Sequence, residues 1–360
     1  MPKIRAKYFL FIIPAIIGLM LLLILPHFPE FAEYVFSRGF FVVLSHVMSL
    51  AVNLVPFSCT EIALYFCIVT LICLIVLLVV KKIKAVTFFQ IILWSLSILF
   101  LLYMLMHGVN FYRQPLAELM NLKEITESDY DEEYLYQQSC RYAVLASAAR
   151  MNITEDEQGC MVLTDGVKET LKRADSGYDN IKIKYSFLSG SATRAKPVII
   201  SSLWSYTGIT GMYSPFFSEA NVNVDIPDCS LPSAAAHEIA HTRGFAREDE
   251  CNFLAYLSCI NSDDPDYIYS GYLLAYKYLS GELYRINKEL YEKSYQCLSD
   301  GVVRDLLAEN DYWNKFEGPV QDVSSGINDT FIKAQGVDDG VKSYGRVTEL
   351  LIRYEKTVNG

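Results

Sequence analysis

Hydrophobic and polar positions divide the chain near residue 112. Before that point, long apolar runs dominate. Residues 8–26 carry almost no polar side chain and follow Lys3, Arg5 and Lys7. No small-residue cleavage site follows and the run is long for a signal peptide, so a transmembrane helix is expected there. Residues 62–80 and 86–106 predict two further spans, the first closed by Lys81-Lys82-Ile83-Lys84. The stretch 40–55 differs, because Ser45, His46, Ser49 and Asn53 recur within it at helical spacing and wet one face. An interfacial or re-entrant helix is expected there rather than a span.

Beyond residue 112 the pattern is that of a water-soluble domain. Apolar residues at helical spacing predict helices over 132–151 and 164–174, and again over 267–283, 289–297, 302–316 and 341–356. Gly, Asp and Ser between 175 and 194 predict loops, and the run at 197–201 predicts a buried strand. Residues 220–226 alternate between apolar and polar, which predicts a half-buried strand whose exposed edge could pair with an extended peptide. The expected class is an α-helical membrane anchor over 1–112 joined to an α+β, mainly helical domain with a small sheet over 113–360.

Charge refines this division. The first 112 residues hold seven basic against three acidic side chains, a net +4, so the remainder carries −14 of the whole chain's −10. An acidic domain on a basic anchor offers no footprint for nucleic acid. The positive-inside rule places both the N-terminal cations and the lysine cluster in the cytoplasm if there are three spans, and everything after His107 outside. A span at 40–55 would put the lysines on the wrong side, so charge favours three spans and an extracytoplasmic C-terminal domain.

The chemistry concentrates in His237-Glu238-Ile239-Ala240-His241 and the residues after it. On a helix, His237 and His241 share a face and can present two imidazole nitrogens to one metal ion, with Glu238 beside the first as the general base. Pro232 and three alanines lead in as a helix start, Gly244 can end the helix in a left-handed turn, and a second helix is expected from Arg247. A catalytic zinc takes three protein ligands and keeps one position open. Glu248 is the expected third ligand, with Asn252 one turn on to hold its carboxylate. Glu250 is the rival, about 200° around the same helix. Arg247 occupies the place where one metalloprotease subclass has a third histidine, which disfavours that subclass.

Cys140, Cys160, Cys229, Cys251, Cys259 and Cys297 lie outside the membrane part; their even number permits disulfides, but their spacing fixes no partners. Cys251 is expected to pack beneath the site rather than to ligate. With no further histidine in the outer domain, a tetrahedral oxyanion would need a tyrosine or arginine, for which Tyr344, Arg346, Tyr213 and Tyr272 are candidates.

The runs Gly211-Met212-Tyr213-Ser214-Pro215-Phe216, Glu219-Ala220-Asn221-Val222-Asn223, Tyr269-Ser270-Gly271-Tyr272 and Asp339-Gly340-Val341-Lys342-Ser343-Tyr344, with the histidine stretch, resemble a bacterial membrane-protein family catalogued as domain of unknown function 3810. The resemblance covers nearly the whole chain and implies an envelope protein with a zincin-like domain. The segment Glu248-Asp249-Glu250-Cys251-Asn252 is similar to the third-ligand helix of the glutamate-zincins, with Cys251 where alanine is expected. The expected function is a membrane-anchored zinc metallopeptidase acting on protein or peptide substrates, including membrane or envelope proteins. A non-catalytic zinc-binding sensor or assembly factor, or a zinc hydrolase of non-peptide bonds, is the alternative.

Overall fold

The computed structural model describes residues 10–126, 131–190, 193–335 and 346–358. It divides into two compact units, Met1–Gln114 with Ser214–Glu219, and Pro115–Tyr213 with Ala220–Gly360.

The first unit is helical. Helix α1 (Ile12–Ile24) stops before Pro26, and α2 (Pro29–Val52) starts on Pro29, whose fixed φ suits a first turn. Within α2 the turns widen to π geometry over Ala32–Phe40 and return to α over Phe41–Val52. Glu33, Ser37, Phe41, Ser45 and Ser49 are all buried, one every fourth residue. A four-residue step overshoots a full α turn by about 40°, and the wider π turns take that drift back, which keeps these side chains on one stripe. Helices α3 (Cys59–Val79) and α4 (Ala85–Met106) come next, joined by only five residues.

Contacts inside this unit fix directions. Ala15 N donates to Ser97 Oγ at 2.9 Å, and Gly18 lies against the Phe100 ring and the Leu101 backbone, so closely that a Cβ there would sit 2.8 Å from that ring. Further on, Leu25 and Val109 share a buried cluster with Ala32. Both chains ascend together, so α1 runs parallel to α4. The start of α2 is tied to the end of α4: Arg113 donates twice to Glu33 at 2.8 Å, and Ser37 Oγ donates to Asn110 Oδ1 at 2.8 Å. Glu219 accepts from Cys59 N, Thr60 N and Thr60 Oγ1 at 3.1, 2.9 and 2.7 Å, an anion placed on the N-terminus of α3.

Among the described residues, Pro29–Val52, Cys59–Val79 and Ala85–Met106 are long and apolar enough to cross a membrane, and Ile12–His27 is a shorter apolar helix. The stretch expected as an interfacial helix at 40–55 is therefore the second half of a longer helix. The first two residues of the span expected at 8–26 lie outside the described residues.

The second unit is mainly helical around a small sheet. In order come α5 (Glu132–Arg150), α6 (Gly166–Arg173), α7 (Ser176–Ile181), β1 (Lys196–Pro197), α8 (Ser201–Ser205), β2 (Gly211–Ser214), β3 (Glu219–Val222), α9 (Leu231–Thr242), α10 (Glu248–Ile260), α11 (Pro265–Ile286), α12 (Lys288–Tyr295), α13 (Asp300–Asn314), α14 (Pro319–Ala334) and α15 (Arg346–Val358). The sheet order is β1-β3-β2, with β1 parallel to β3. Tyr256 on α10 donates to the Tyr142 hydroxyl on α5 at 2.7 Å, which donates to Glu355 on α15 at 2.6 Å, so one buried polar chain joins three helices.

Two strand expectations change. Of the run expected as a strand at 197–201, only Pro197 belongs to β1, and Ser201 already opens α8. The alternation at 220–226 does not mark a half-buried edge, because β3 is the central strand and Ala220 to Asn223 are all buried. Its polar side chains face protein partners: Asn221 Nδ2 donates to Met212 O at 3.2 Å, and Asn223 Nδ2 to Ile209 O and Ser205 Oγ at 3.0 Å each. Both β1 and β2 are edge strands.

Candidate metal centre

Helix α9 enters the core on small residues, with Ala235, Ala236 and Ala240 fully buried beside Ile239. It ends where Gly244 takes φ +82°, a left-handed turn that a side chain would strain. The chain then turns back and α10 opens with Glu248, Asp249 and Glu250 in its first turn, where the helix dipole favours anions.

These three acids point three ways. Glu248 faces α9, with its carboxylate oxygens 3.2 Å from His237 Nε2 and 3.7 Å from His241 Nε2. Asp249 accepts from Arg346 Nε at 2.9 Å. Glu250 turns away from the histidines and accepts from Leu116 N at 2.7 Å and Arg247 at 3.2 Å. One ligand atom each from His237, His241 and Glu248 therefore falls within a sphere of mutual distances under 4.8 Å.

The far side of each ring is also engaged. His241 Nδ1 lies 2.8 Å from the Phe245 carbonyl oxygen, which can only accept, so the proton sits on Nδ1 and Nε2 keeps a lone pair. His237 Nδ1 lies 3.0 Å from Asn252 Oδ1. Asn252, expected to hold the Glu248 carboxylate, instead orients a histidine, because the crossing of α10 over α9 brings it against His237. Cys251 Sγ sits 3.4 Å from His241 Nδ1, on the ring side opposite Nε2, so it packs beneath the cluster.

Burial and the Glu248 carboxylate set the charges in this cluster. Burial opposes a charged His237, but the Glu248 carboxylate holds its pKa up to about 9. Burial pushes His241 down to about 4 against the pull of Glu248. Glu238 is pushed up to about 8 by burial, with His237 opposing. Its Oε2 is buried and, among the described residues, has no hydrogen-bond partner. Gly211 of β2 lies against the same carboxyl, since a Cβ there would collide with Glu238 Oε1. Two imidazoles and a carboxylate converging beside a buried carboxyl oxygen that has no partner among the described residues fit a divalent cation, which would displace the His237 proton, and the His2Glu set is the one zinc hydrolases use.

A model of the family described as protein of unknown function (DUF3810) matches residues 36–352. The chain belongs to the DUF3810 family. No curated protein and no solved structure matches it. The DUF3810 match takes in the stretch from His237 to Asn252 and most of the helical segments before it.

Of the tyrosines and arginine proposed for an oxyanion, Tyr213 reaches the cluster, its ring stacked on His241 at 5.8 Å between centroids. Tyr272 does not, since it packs against Tyr142. Arg346 is engaged by Asp249, which ties the start of α15 to the first turn of α10. Tyr344 lies outside the described residues. The chain also places Tyr278 where Glu248 and Asp249 act on it, although burial is the main cause that raises its pKa. Neither Gly211 nor Tyr278 carries a sequence signal for a role here, as both depend on elements brought together from afar.

Proposed function

We propose that this DUF3810 protein is a membrane-anchored, zinc-dependent metallopeptidase with a zincin-like catalytic unit at the outer face of the bacterial cytoplasmic membrane. The observation that carries this reading is the convergence of His237 Nε2, His241 Nε2 and the Glu248 carboxylate beside Glu238. Zinc held by these three residues would supply Lewis acidity towards water and the scissile carbonyl. Glu238 takes a proton from the attacking water and returns it to the leaving amine, a role suited to a buried carboxyl whose second oxygen has no partner among the described residues. Asn252 and the Phe245 carbonyl hold the two imidazoles in the tautomer that ligation needs. The edge strand β2 is the natural place for an extended substrate backbone, because Gly211 brings that strand directly against Glu238.

The contacts of the first unit support three spans. If α3 and α4 both cross a bilayer, their five-residue connection lies at one face and Cys59 and Met106 at the other. Helix α2 begins at that second face, held by Arg113, and only six residues separate its end from the start of α3 there. It therefore starts and finishes at one face and lies along it, its polar stripe turned away from lipid. With α1 parallel to α4, the crossing helices are α1, α3 and α4. The lysine cluster is then cytoplasmic, and the chain leaves α4 on the outer side.

Hydrolysis of an unfolded protein by the purified full chain tests the mechanism. Glu238→Gln is expected to reduce the rate by about 100- to 10,000-fold with zinc content unchanged. Equal hydrolysis by the variant would contradict the assignment.

A further inference from the structure

Cys140 and Cys297 lie far from the metal cluster in sequence and serve no part of its chemistry. Their sulfurs are 3.0 Å apart, closer than unbonded sulfur atoms pack. Cys140 sits in the middle of α5, and Cys297 comes just after the last turn of α12, its N–H donating to Ser294 O at 3.1 Å. The two segments are clamped on either side of the sulfurs: Asn287 Nδ2 donates to Glu132 Oε2 at 2.8 Å, and Ser299 N to Ser147 Oγ at 2.8 Å. Both thiols are partly exposed, whereas Cys229, Cys251 and Cys259 are buried. A pair 157 residues apart is thus held within reach of bonding and of a small reagent.

We propose that Cys140 and Cys297 form a dithiol–disulfide site, closed by exchange with a disulfide oxidant. The Cys297 thiolate attacks one sulfur of that oxidant and expels the first thiolate. Cys140 then attacks Cys297 Sγ and expels the second. Two protein thiols become one disulfide, the oxidant disulfide becomes two thiols, and the two protons lost by the cysteines end on them. The resulting link fixes α5 to the end of α12 and closes a loop that contains the whole metal-binding stretch, which restricts the unfolded chain. The pairing goes beyond the metallopeptidase reading and does not depend on it; the oxidation state in cells depends on which side of the membrane this unit occupies.

The test uses the full chain in mild detergent, treated with oxidised glutathione, capped with N-ethylmaleimide and digested without reduction. Mass spectrometry is expected to find a peptide joining Cys140 to Cys297. Reduction by a phosphine should remove it and lower Tm by roughly 5–15 °C, while the Cys140→Ser/Cys297→Ser double variant shows no change with reductant. Both cysteines found capped after oxidation, or joined to other cysteines, would overturn the proposal. The same digest made from acid-quenched cells is expected to hold the joined peptide. A pair that is capped in cells yet closes with oxidised glutathione would uphold the site and contradict the outer-face placement instead.

Discussion

Each imidazole of the cluster has one nitrogen committed to the fold and one turned to Glu248. That division gives Asn252 a measurable effect without contact to the metal. In the Asn252→Ala variant the His237 ring loses the acceptor that fixes its tautomer, and zinc affinity should fall by about 10- to 100-fold in competition with a chelating dye. Unchanged affinity would mean that the ring is held by packing alone. The pair His237 and His241 with Glu238 was legible in the sequence because five consecutive helical residues set their geometry. The partner of Asn252 was not, since it depends on the angle at which two helices cross. Nor was the fate of Arg346, whose ion pair with Asp249 joins positions 97 residues apart.

Helix α9 is anchored at its C-terminal end by a buried cation. Arg243, the residue after its last turn, is fully buried, donates to Leu188 O at 3.0 Å, pairs with Asp175 and lies over the Tyr178 ring at 5.4 Å. Arg243→Met would leave Asp175 buried without its counter-charge, which should cost about 3–5 kcal/mol in chemical denaturation. A loss below about 1 kcal/mol would show that water reaches the pair. Most helices of the second unit were visible as apolar periodicity, for instance 132–151 against the observed Glu132–Arg150. Helix α14 was not among them. Its Val320, Val323, Ile327 and Phe331 have helical spacing but are exposed, so the stripe marks no core face. The strand at 220–226 misled for the opposite reason: its asparagines alternate as a wet face would, yet they are buried on backbone carbonyls.

At the scale of the whole molecule, the chain beyond residue 112 is acidic, and its stability should itself depend on pH. Glu309 on α13 is buried, which alone would raise its pKa, but Lys277 on α11, at 2.7 and 2.8 Å, outweighs burial and lowers it. A lowered folded pKa gives stability that is fully present above the unfolded glutamate value of about 4.3 and lost as pH falls through the lower folded value. Melting curves between about pH 5 and pH 3 should therefore show a steeper loss of Tm in the native chain than in Glu309→Gln. Parallel curves would exclude the ion pair as a source of acid sensitivity. The change of character near residue 112 was legible from hydropathy and charge alone. The pairing of Arg113 with Glu33, which ties the start of α2 to the end of α4, is announced by no local pattern.

The zinc content of the purified full-length protein, compared between Glu248→Ala and Glu250→Ala, tests the central claim most directly. The two acids stand two residues apart on the same helix, one facing the histidines and the other bonded to Leu116 N. Near-stoichiometric zinc in the native chain and in Glu250→Ala, with most of it lost from Glu248→Ala, is the predicted result. A folded native chain that takes up no zinc, or a Glu248→Ala variant that keeps it, would contradict the account.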